Sequence, residues 1–157
     1  MRTSIILEKD RMREIIRRCD VCFLGLNDSD GFPYVIPMSF GFDDDKIILH
    51  SGPEGKHLRL IAKDNRASVV FCTARVLKYQ HPDVACSYSQ TSQSVVCKGT
   101  IDFVETLDEK ERYLNILMRQ YSDRQFKYST PALKNVTVWL FHIKEMSAKS
   151  FGQNFKQ

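Results

Sequence analysis

The sequence predicts a mainly β protein of the α+β class, in which a small barrel is flanked by about three helices. Strand-like stretches recur about five or six times along the chain. Segments with helical spacing are fewer, and they do not alternate regularly with the strands as in a parallel β–α–β sheet. The length of 157 residues is typical of one domain, so we expect a single domain over residues 1–157.

The first predicted element is an amphipathic helix over residues 8–19. Ile15 and Cys19 recur at helical spacing on its apolar face, and charged side chains cover its other faces. A strand is expected over residues 21–26. The polar sequence Asn27–Gly31 then indicates a turn.

A hairpin over residues 33–51 is expected next, with its turn at Asp43–Asp45. Two strand-like arms flank these three acidic residues, so we interpret them as a solvated turn rather than a metal site. A short helix over residues 55–64 and an apolar strand over residues 67–74 follow. Residues 75–93 are polar and predict a loop.

The second half of the chain begins with a long strand over residues 94–105, in which Gly99 predicts a bulge or a tight bend. Thr106 and Glu109 form a capping box, with threonine at the cap and glutamate three residues later, and this motif opens a helix. The remaining predicted segments are an irregular stretch over residues 122–135, a strand over 136–144 and a short strand over 146–149.

The composition disfavours several classes of protein. The hydrophobic fraction of 43% is near the globular norm, and no apolar run approaches the ~18 residues that span a bilayer. The N-terminus becomes charged too early for a secretory signal, so we expect a cytoplasmic protein without a membrane partner. The net charge of +4 is spread along the chain, which disfavours nucleic acid as a partner. Cys19 and Cys22 form a CxxC pair, but no second CxxC or CxxH completes a tetrahedral zinc site, so the five cysteines are expected to be reduced, buried thiols and no metal site is predicted.

The first arm of the predicted hairpin alternates in side-chain size. The large side chains fall on one face: Tyr34, Ile36, Met38, Phe40 and Phe42. The small ones fall on the other: Val35, Pro37, Ser39 and Gly41. Because strand side chains alternate with period two, the large face is expected to pack into the core. The small face leaves backbone that a flat ring could approach and hydrogen-bond.

The second arm ends in a loop that is typical of phosphate binding. His50 and Ser51 are followed by two glycines and by Lys56, just before the predicted helix. Free N–H groups, the positive end of a helix and a cation together suit a phosphate group. The loop lacks the GxxxxGK[ST] pattern of a nucleotide hydrolase. Together with the small strand face, it predicts a pocket for a ligand with one flat end and one phosphorylated end.

The histidines leave more than one interpretation open. His50 stands at a strand end, where it is either a structural residue or one that faces the ligand. His57, His81 and His142 form no HxH or HExxH pattern, which argues against a metal centre. No GxSxG pattern or paired cysteine and histidine supports a hydrolase.

Two stretches of the chain carry a family resemblance. Residues Pro33–Gly41 read PYVIPMSFG, and residues Ile47–Lys56 read IILHSGPEGK. These stretches resemble the FMN-binding split-barrel flavoproteins, and among them the nitroimidazole-resistance (NimA-like) branch of the pyridoxamine 5′-phosphate oxidase-related group. Ser94–Val95 with Gly99 resembles that family's Y-x-S-V…G strand, and Met146–Lys149 resembles its closing T-G-K.

The resemblance implies a six-stranded antiparallel split β-barrel, a homodimer, and FMN bound at the dimer interface. It places Pro37, Met38 and Ser39 beside the flavin ring. It places Ser51, Lys56 and His57 at the phosphate. Ser94 and Lys149 would approach the flavin, Lys149 from the partner subunit. His50 would lie near the flavin and handle the substrate.

The sequence departs from the family pattern at several positions. The second basic residue of the phosphate loop is His57, which would make that contact weaker or pH-dependent. Ser92 replaces the family's tyrosine, and Ala148 replaces its terminal glycine. The arginine-rich C-terminal signature of true pyridoxamine phosphate oxidases is absent, which argues against that reaction.

The leading functional hypothesis is an FMN-dependent oxidoreductase, or nitroreductase, that takes electrons from NADH or NADPH and reduces a small aromatic or nitro-aromatic molecule. The alternative is a non-enzymatic flavin- or haem-binding or sensing module on the same barrel. A basic nucleic-acid-binding barrel is the third hypothesis. It predicts salt-sensitive association with DNA or RNA and indifference to FMN.

Overall fold

The computed structural model describes residues 3–152 of the chain. Its strands are β1 (Thr3–Ile6), β2 (Cys22–Asn27), β3 (Pro33–Met38), β4 (Gly41–Asp43), β5 (Lys46–Ser51), β6 (Arg66–Cys72), β7 (Val76–Lys78), β8 (Ser89–Val104) and β9 (Thr137–Phe151). Its helices are α1 (Lys9–Arg17), α2 (Lys56–Lys63), α3 (Leu107–Arg119) and α4 (Thr130–Lys134), with a short 3-10 turn at Ala85–Ser87.

The nine strands form an antiparallel sheet in the order β3-β2-β6-β8-β9-β5-β4, with β1 beside β9 and β7 beside β8. β3 and β4 lie at opposite ends of this path, although only Ser39 and Phe40 separate them in the sequence. The sheet must therefore curl until its two ends meet, and these ends do not pair with each other in the part of the chain that the structure describes. This arrangement confirms the predicted split barrel and its mainly β class.

The prediction of six strands is wrong in number, since short additional strands form at β1, β4 and β7. The predicted hairpin over residues 33–51 is also wrong in its pairing. β3 pairs with β2, where Pro37 lies opposite Phe23, and only β4 pairs with β5. The break has a tertiary cause, because the backbone N–H of Phe40 donates to the hydroxyl of Tyr121 at 2.9 Å instead of to a strand.

The core lies inside the curled sheet, and a smaller apolar cluster lies outside it. Phe40, Phe71, Trp139 and Phe141 are fully buried in the core. The large face predicted for the first arm is confirmed, because its other members pack against this cluster: Tyr34, Ile36, Met38 and Phe42. In the outer cluster, α3 and α4 cover Ile48 of β5 and Val138 of β9.

Two local predictions are confirmed. The ladder between β8 and β9 shifts its register between Lys98 and Gly99, as expected for a bulge. A Cβ at Gly99 would lie 1.9 Å from the carbonyl oxygen of His142, so the close approach of the two strands requires glycine. At α3, the N–H of Glu109 donates to the Thr106 hydroxyl at 3.3 Å, which is the predicted cap.

Other boundaries differ from the prediction. β8 begins at Ser89, so the two ends of the predicted loop over residues 75–93 belong to a paired arm formed by β7 and β8. β9 is one strand rather than two. Cys19, Cys22 and Cys97 are buried as expected, but Cys86 is exposed. Within residues 3–152, none of the helices combines the length and the apolar character needed to cross a bilayer.

Candidate functional site

β3 forms one wall of the candidate site. It pairs along its whole length with β2, and with no other strand among residues 3–152. Its second edge therefore keeps backbone hydrogen-bonding groups free. Val35 is 58% exposed and Pro37 is also exposed, whereas Met38 packs partly against the core. The strand thus has the small, open face that the sequence predicts.

The end of this small face has two different roles. Ser39 is exposed just beyond β3. Gly41 is buried instead, because it brings β4 against α3: a Cβ at this position would lie 2.4 Å from the Cα of Leu117. The open part of the small face therefore ends at Ser39.

Lys56 is held against the beginning of β3. Its ammonium forms an ion pair with the carboxylate of Asp28 and lies 5.2 Å from the ring centroid of Tyr34. The hydrogen bond between them lowers the pKa of the Asp28 carboxyl and raises the pKa of Lys56. The predicted phosphate residue is therefore a fixed cation next to the strand that was predicted to face a flat ring.

Asp28 is a site residue that the sequence did not identify. Its side chain is only 7% exposed, although it belongs to a polar turn. A carboxylate in the sequence Asn27–Gly31 has the composition of an ordinary turn. Nothing in the local sequence distinguishes a carboxylate that pairs with a lysine on another element from one that faces solvent in an ordinary turn.

The backbone at the N-terminus of α2 has the features of an anion-binding site. Gly55 precedes the helix with a φ of 153°, a conformation that side chains rarely adopt, and a Cβ there would lie 2.4 Å from the His57 ring. No side chain caps this helix within the described range, so its first N–H groups have no side-chain acceptor. Free N–H groups at a helix N-terminus attract an anion.

His57 packs into the core side of this loop. Its ring stacks on Trp139 with the ring centroids 5.2 Å apart and an angle of 20° between the planes. Its Nε2 is buried without a hydrogen-bond partner among residues 3–152. Burial, and then the charge of Arg59, lower the pKa of His57, so the ring is neutral at pH 7.

His50 and Ser51 end β5 close to the loop in sequence, but their side chains differ in direction. The hydroxyl of Ser51 donates to the carbonyl oxygen of Gly52 at 2.8 Å. His50 lines a pocket formed with α3 and α4, and burial lowers its pKa. The contacts of His50 share no residue with those of Lys56, so the structure does not join these two predicted residues in one cluster.

Ser94 and Lys149 lie directly opposite each other on β8 and β9. Three strand intervals separate β8 from β3, which amounts to about 14 Å at the usual interstrand spacing of about 4.8 Å. One chain therefore does not bring Ser94 and Lys149 to the open end of β3. The register nevertheless places both side chains on the same outer face of the sheet as Pro37.

This outer sheet face is apolar in its middle. One cross-strand row contains Pro37, Phe23, Val70 and Val96, and Phe23 remains 43% exposed. Beside this row lies a depression with a volume of about 780 Å³ and walls that include Ser68 and Lys98. Neither Lys56 nor His50 lines it.

Comparison with known proteins places this geometry in a family. The profile of the family described as Pyridoxamine 5′-phosphate oxidase matches residues 8–150. A solved structure of a candidate 5-nitroimidazole antibiotic resistance protein from Bacteroides thetaiotaomicron VPI-5482 is 42% identical, with a TM-score of 0.87, over 96% of this chain and 89% of that chain. No curated protein matches the sequence.

Two more distant structures share the fold. The FAD and heme binding protein from Mycobacterium smegmatis is 18% identical, with a TM-score of 0.80, over 100% of this chain and 76% of that chain. A protein from Listeria innocua, described as a candidate pyridoxamine 5′-phosphate oxidase, is 17% identical, with a TM-score of 0.61, over 88% of this chain and 94% of that chain. On the profile match and the 42% identity, the chain belongs to the pyridoxamine 5′-phosphate oxidase-related family, in its nitroimidazole-resistance (NimA-like) branch.

Proposed function

We propose that the protein is an FMN-dependent oxidoreductase. It would act in the cytoplasm, take electrons from NADH or NADPH, and reduce a small aromatic or nitro-aromatic acceptor. The observation that carries the proposal is the position of Lys56, which stands at the N-terminus of α2 and contacts Tyr34 on the strand with the open edge. Membership of the family supports a flavin as the ligand.

The residues present fit a flavin mononucleotide. Lys56, the first N–H groups of α2 and the Ser51 hydroxyl would hold the phosphate. Pro37 lies three residues along β3 from Tyr34, about 10 Å at the rise of a strand. The ribityl chain of FMN links its phosphate to its ring over a comparable length. Backbone groups of Pro37, Met38 and Ser39 would then border the flavin ring.

The protein contributes binding and orientation in this proposal. When bound, the flavin supplies the redox chemistry by accepting a hydride from the nicotinamide and passing electrons to the acceptor. Lys56 has the Asp28 carboxylate as its partner, so a phosphate must share the lysine with that carboxylate or replace it. His57 is neutral and offers the phosphate at most one N–H donor.

A homodimer would complete the site. Ser94 and Lys149 stand about 14 Å or more from β3 across the sheet, so they would reach the flavin from a second copy of the chain. The exposed Phe23 and Val35 on the outer sheet face are consistent with an interface between subunits, since exposed apolar patches often mark such contacts.

The experiment is a titration of the purified protein with FMN, followed by addition of NADH or NADPH without oxygen. Bleaching of the flavin absorbance, and its return when a nitro-aromatic acceptor is added, is the expected result. Binding of FMN without reduction by either donor would leave a flavin-binding module and refute the enzyme assignment. Failure to bind FMN at all would refute the whole proposal.

Haem is a second candidate ligand, and its binding can be tested on the same purified sample. The Mycobacterium smegmatis protein with this fold is described as binding FAD and heme. An axial ligand would have to come from a neutral histidine, and the Nδ1 of His50 is buried without a hydrogen-bond partner within residues 3–152. The absorption spectrum of the purified protein separates haem from flavin directly.

A further inference from the structure

A second pocket, on the side of the barrel that α3 and α4 cover, has no role in the proposed flavin site. Its volume is about 200 Å³. Its walls are Leu114, Leu117, Met118, Tyr128, Ala132 and Val136, together with His50. An apolar cavity of about 150 Å³ is known to stay dry and to bind benzene. The volume here therefore admits one six-membered ring with a small substituent.

Besides the hydroxyl of Tyr128, the polar side-chain atoms of this wall belong to His50. Its Nδ1 is buried without a hydrogen-bond partner in the described residues. A polar atom removed from water without a partner costs free energy, so a ligand that bonds to the imidazole would recover part of that cost. Burial also lowers the pKa of His50, which keeps the ring neutral.

The surroundings disfavour an anionic ligand. No charged side chain lines the pocket in the part of the chain that the structure describes. Lys110 of α3 is engaged elsewhere, because its ammonium donates to the carbonyl oxygens of Leu133 and Val136 at 3.4 and 2.8 Å. An anion in this pocket would lose its hydration and gain no ion pair.

We propose that the pocket between β5, α3 and α4 binds a small uncharged phenol, with its ring against the apolar walls and its hydroxyl hydrogen-bonded to His50. A neutral imidazole presents either an N–H donor or a nitrogen acceptor at a given position. A hydroxyl group can both donate and accept, so a phenol pairs with either tautomer. This inference does not rest on the proposed flavin chemistry.

Methyl NMR of the full-length protein labelled at methionine tests the inference, with phenol and toluene as probes. Met118 lines the pocket, whereas Met12 is buried in the separate core cluster. Addition of phenol should shift the Met118 methyl signal until the shift saturates, and it should leave the Met12 signal unchanged. It should bind about fivefold more tightly than toluene, which has the same shape without the hydroxyl.

Two variants and a control make the outcome decisive. Ala132→Leu fills the pocket from α4 and should weaken phenol binding by about tenfold or more. Ala62→Leu makes the same change at an exposed position of α2, outside the pocket, and should bind phenol like the wild type. His50→Phe should abolish the preference for phenol over toluene. The inference is overturned if Met118 does not respond, if toluene binds as well as phenol, or if Ala132→Leu binds phenol normally.

Discussion

Replacing Gly41 by alanine tests the closest approach between the sheet and a helix. The new Cβ would lie 2.4 Å from the Cα and 2.8 Å from the backbone nitrogen of Leu117. Carbon atoms in contact are normally about 3.5 Å apart, so α3 would have to move away from β4 by about 1 Å. Backbone atoms cannot rotate out of the way as the end of a side chain can. We therefore expect a loss near the upper end of the usual overpacking range, about 3 kcal/mol in the free energy of unfolding.

The assay is urea unfolding and thermal unfolding of Gly41→Ala at a fixed protein concentration and without added FMN, because ligands and subunit contacts shift apparent stability. For a chain of this length, the expected loss lowers the Tm by about 6–12 °C. Gly52→Ala is the matched control, since nothing lies within 4 Å of a Cβ there; its effect should stay within about 0.5 kcal/mol. Equal stability of the two variants would refute the described packing of β4 on α3.

Three further predictions concern the phosphate loop, a buried histidine and a helix cap. Lys56→Ala should lower the affinity for FMN by about tenfold or more in a flavin fluorescence titration, because a charged hydrogen-bond donor is lost; Lys63→Ala, in the last turn of the same helix, should not. Burial lowers the pKa of His50 in the folded state, so the unfolded chain takes up a proton first as the pH falls below about 6.5. The folded protein should therefore lose stability between that pH and the lower folded-state pKa, and His50→Gln should make the loss shallower in urea unfolding at pH 7.5 and 5.5. Thr106→Ala removes the cap of α3 and should cost about 1 kcal/mol of unfolding free energy by the same method.

Features that depend on neighbouring residues in the sequence were predictable. The bulge at Gly99 and the cap formed by Thr106 and Glu109 follow from local chemistry, and the structure contains both. The break after Ser39 was not predictable in this way. The side chain that fixes it, Tyr121, is 81 residues away from Phe40.

The candidate site shows the same distinction. Lys56 was identified because glycines and the start of a helix surround it in the sequence. Its partner Asp28 and the stacking of His57 on Trp139 were not identified, because each joins two elements that only the curled sheet brings together. Ser94 and Lys149 were assigned by resemblance, and their role in a shared site stays a prediction.

The unpaired edge of β3 also bears on how the protein avoids aggregation through edge-to-edge strand pairing. Proline in a strand is tolerated where its nitrogen points away from the ladder, so Pro33 and Pro37 turn their nitrogens toward the open side. That side then offers the carbonyl oxygens of Pro33, Val35 and Pro37 but only one amide hydrogen, from Val35. A strand from another molecule could not form a continuous ladder along an edge with so few N–H donors, and this disfavours fibril-like aggregation. A small molecule with its own N–H would still find acceptors there.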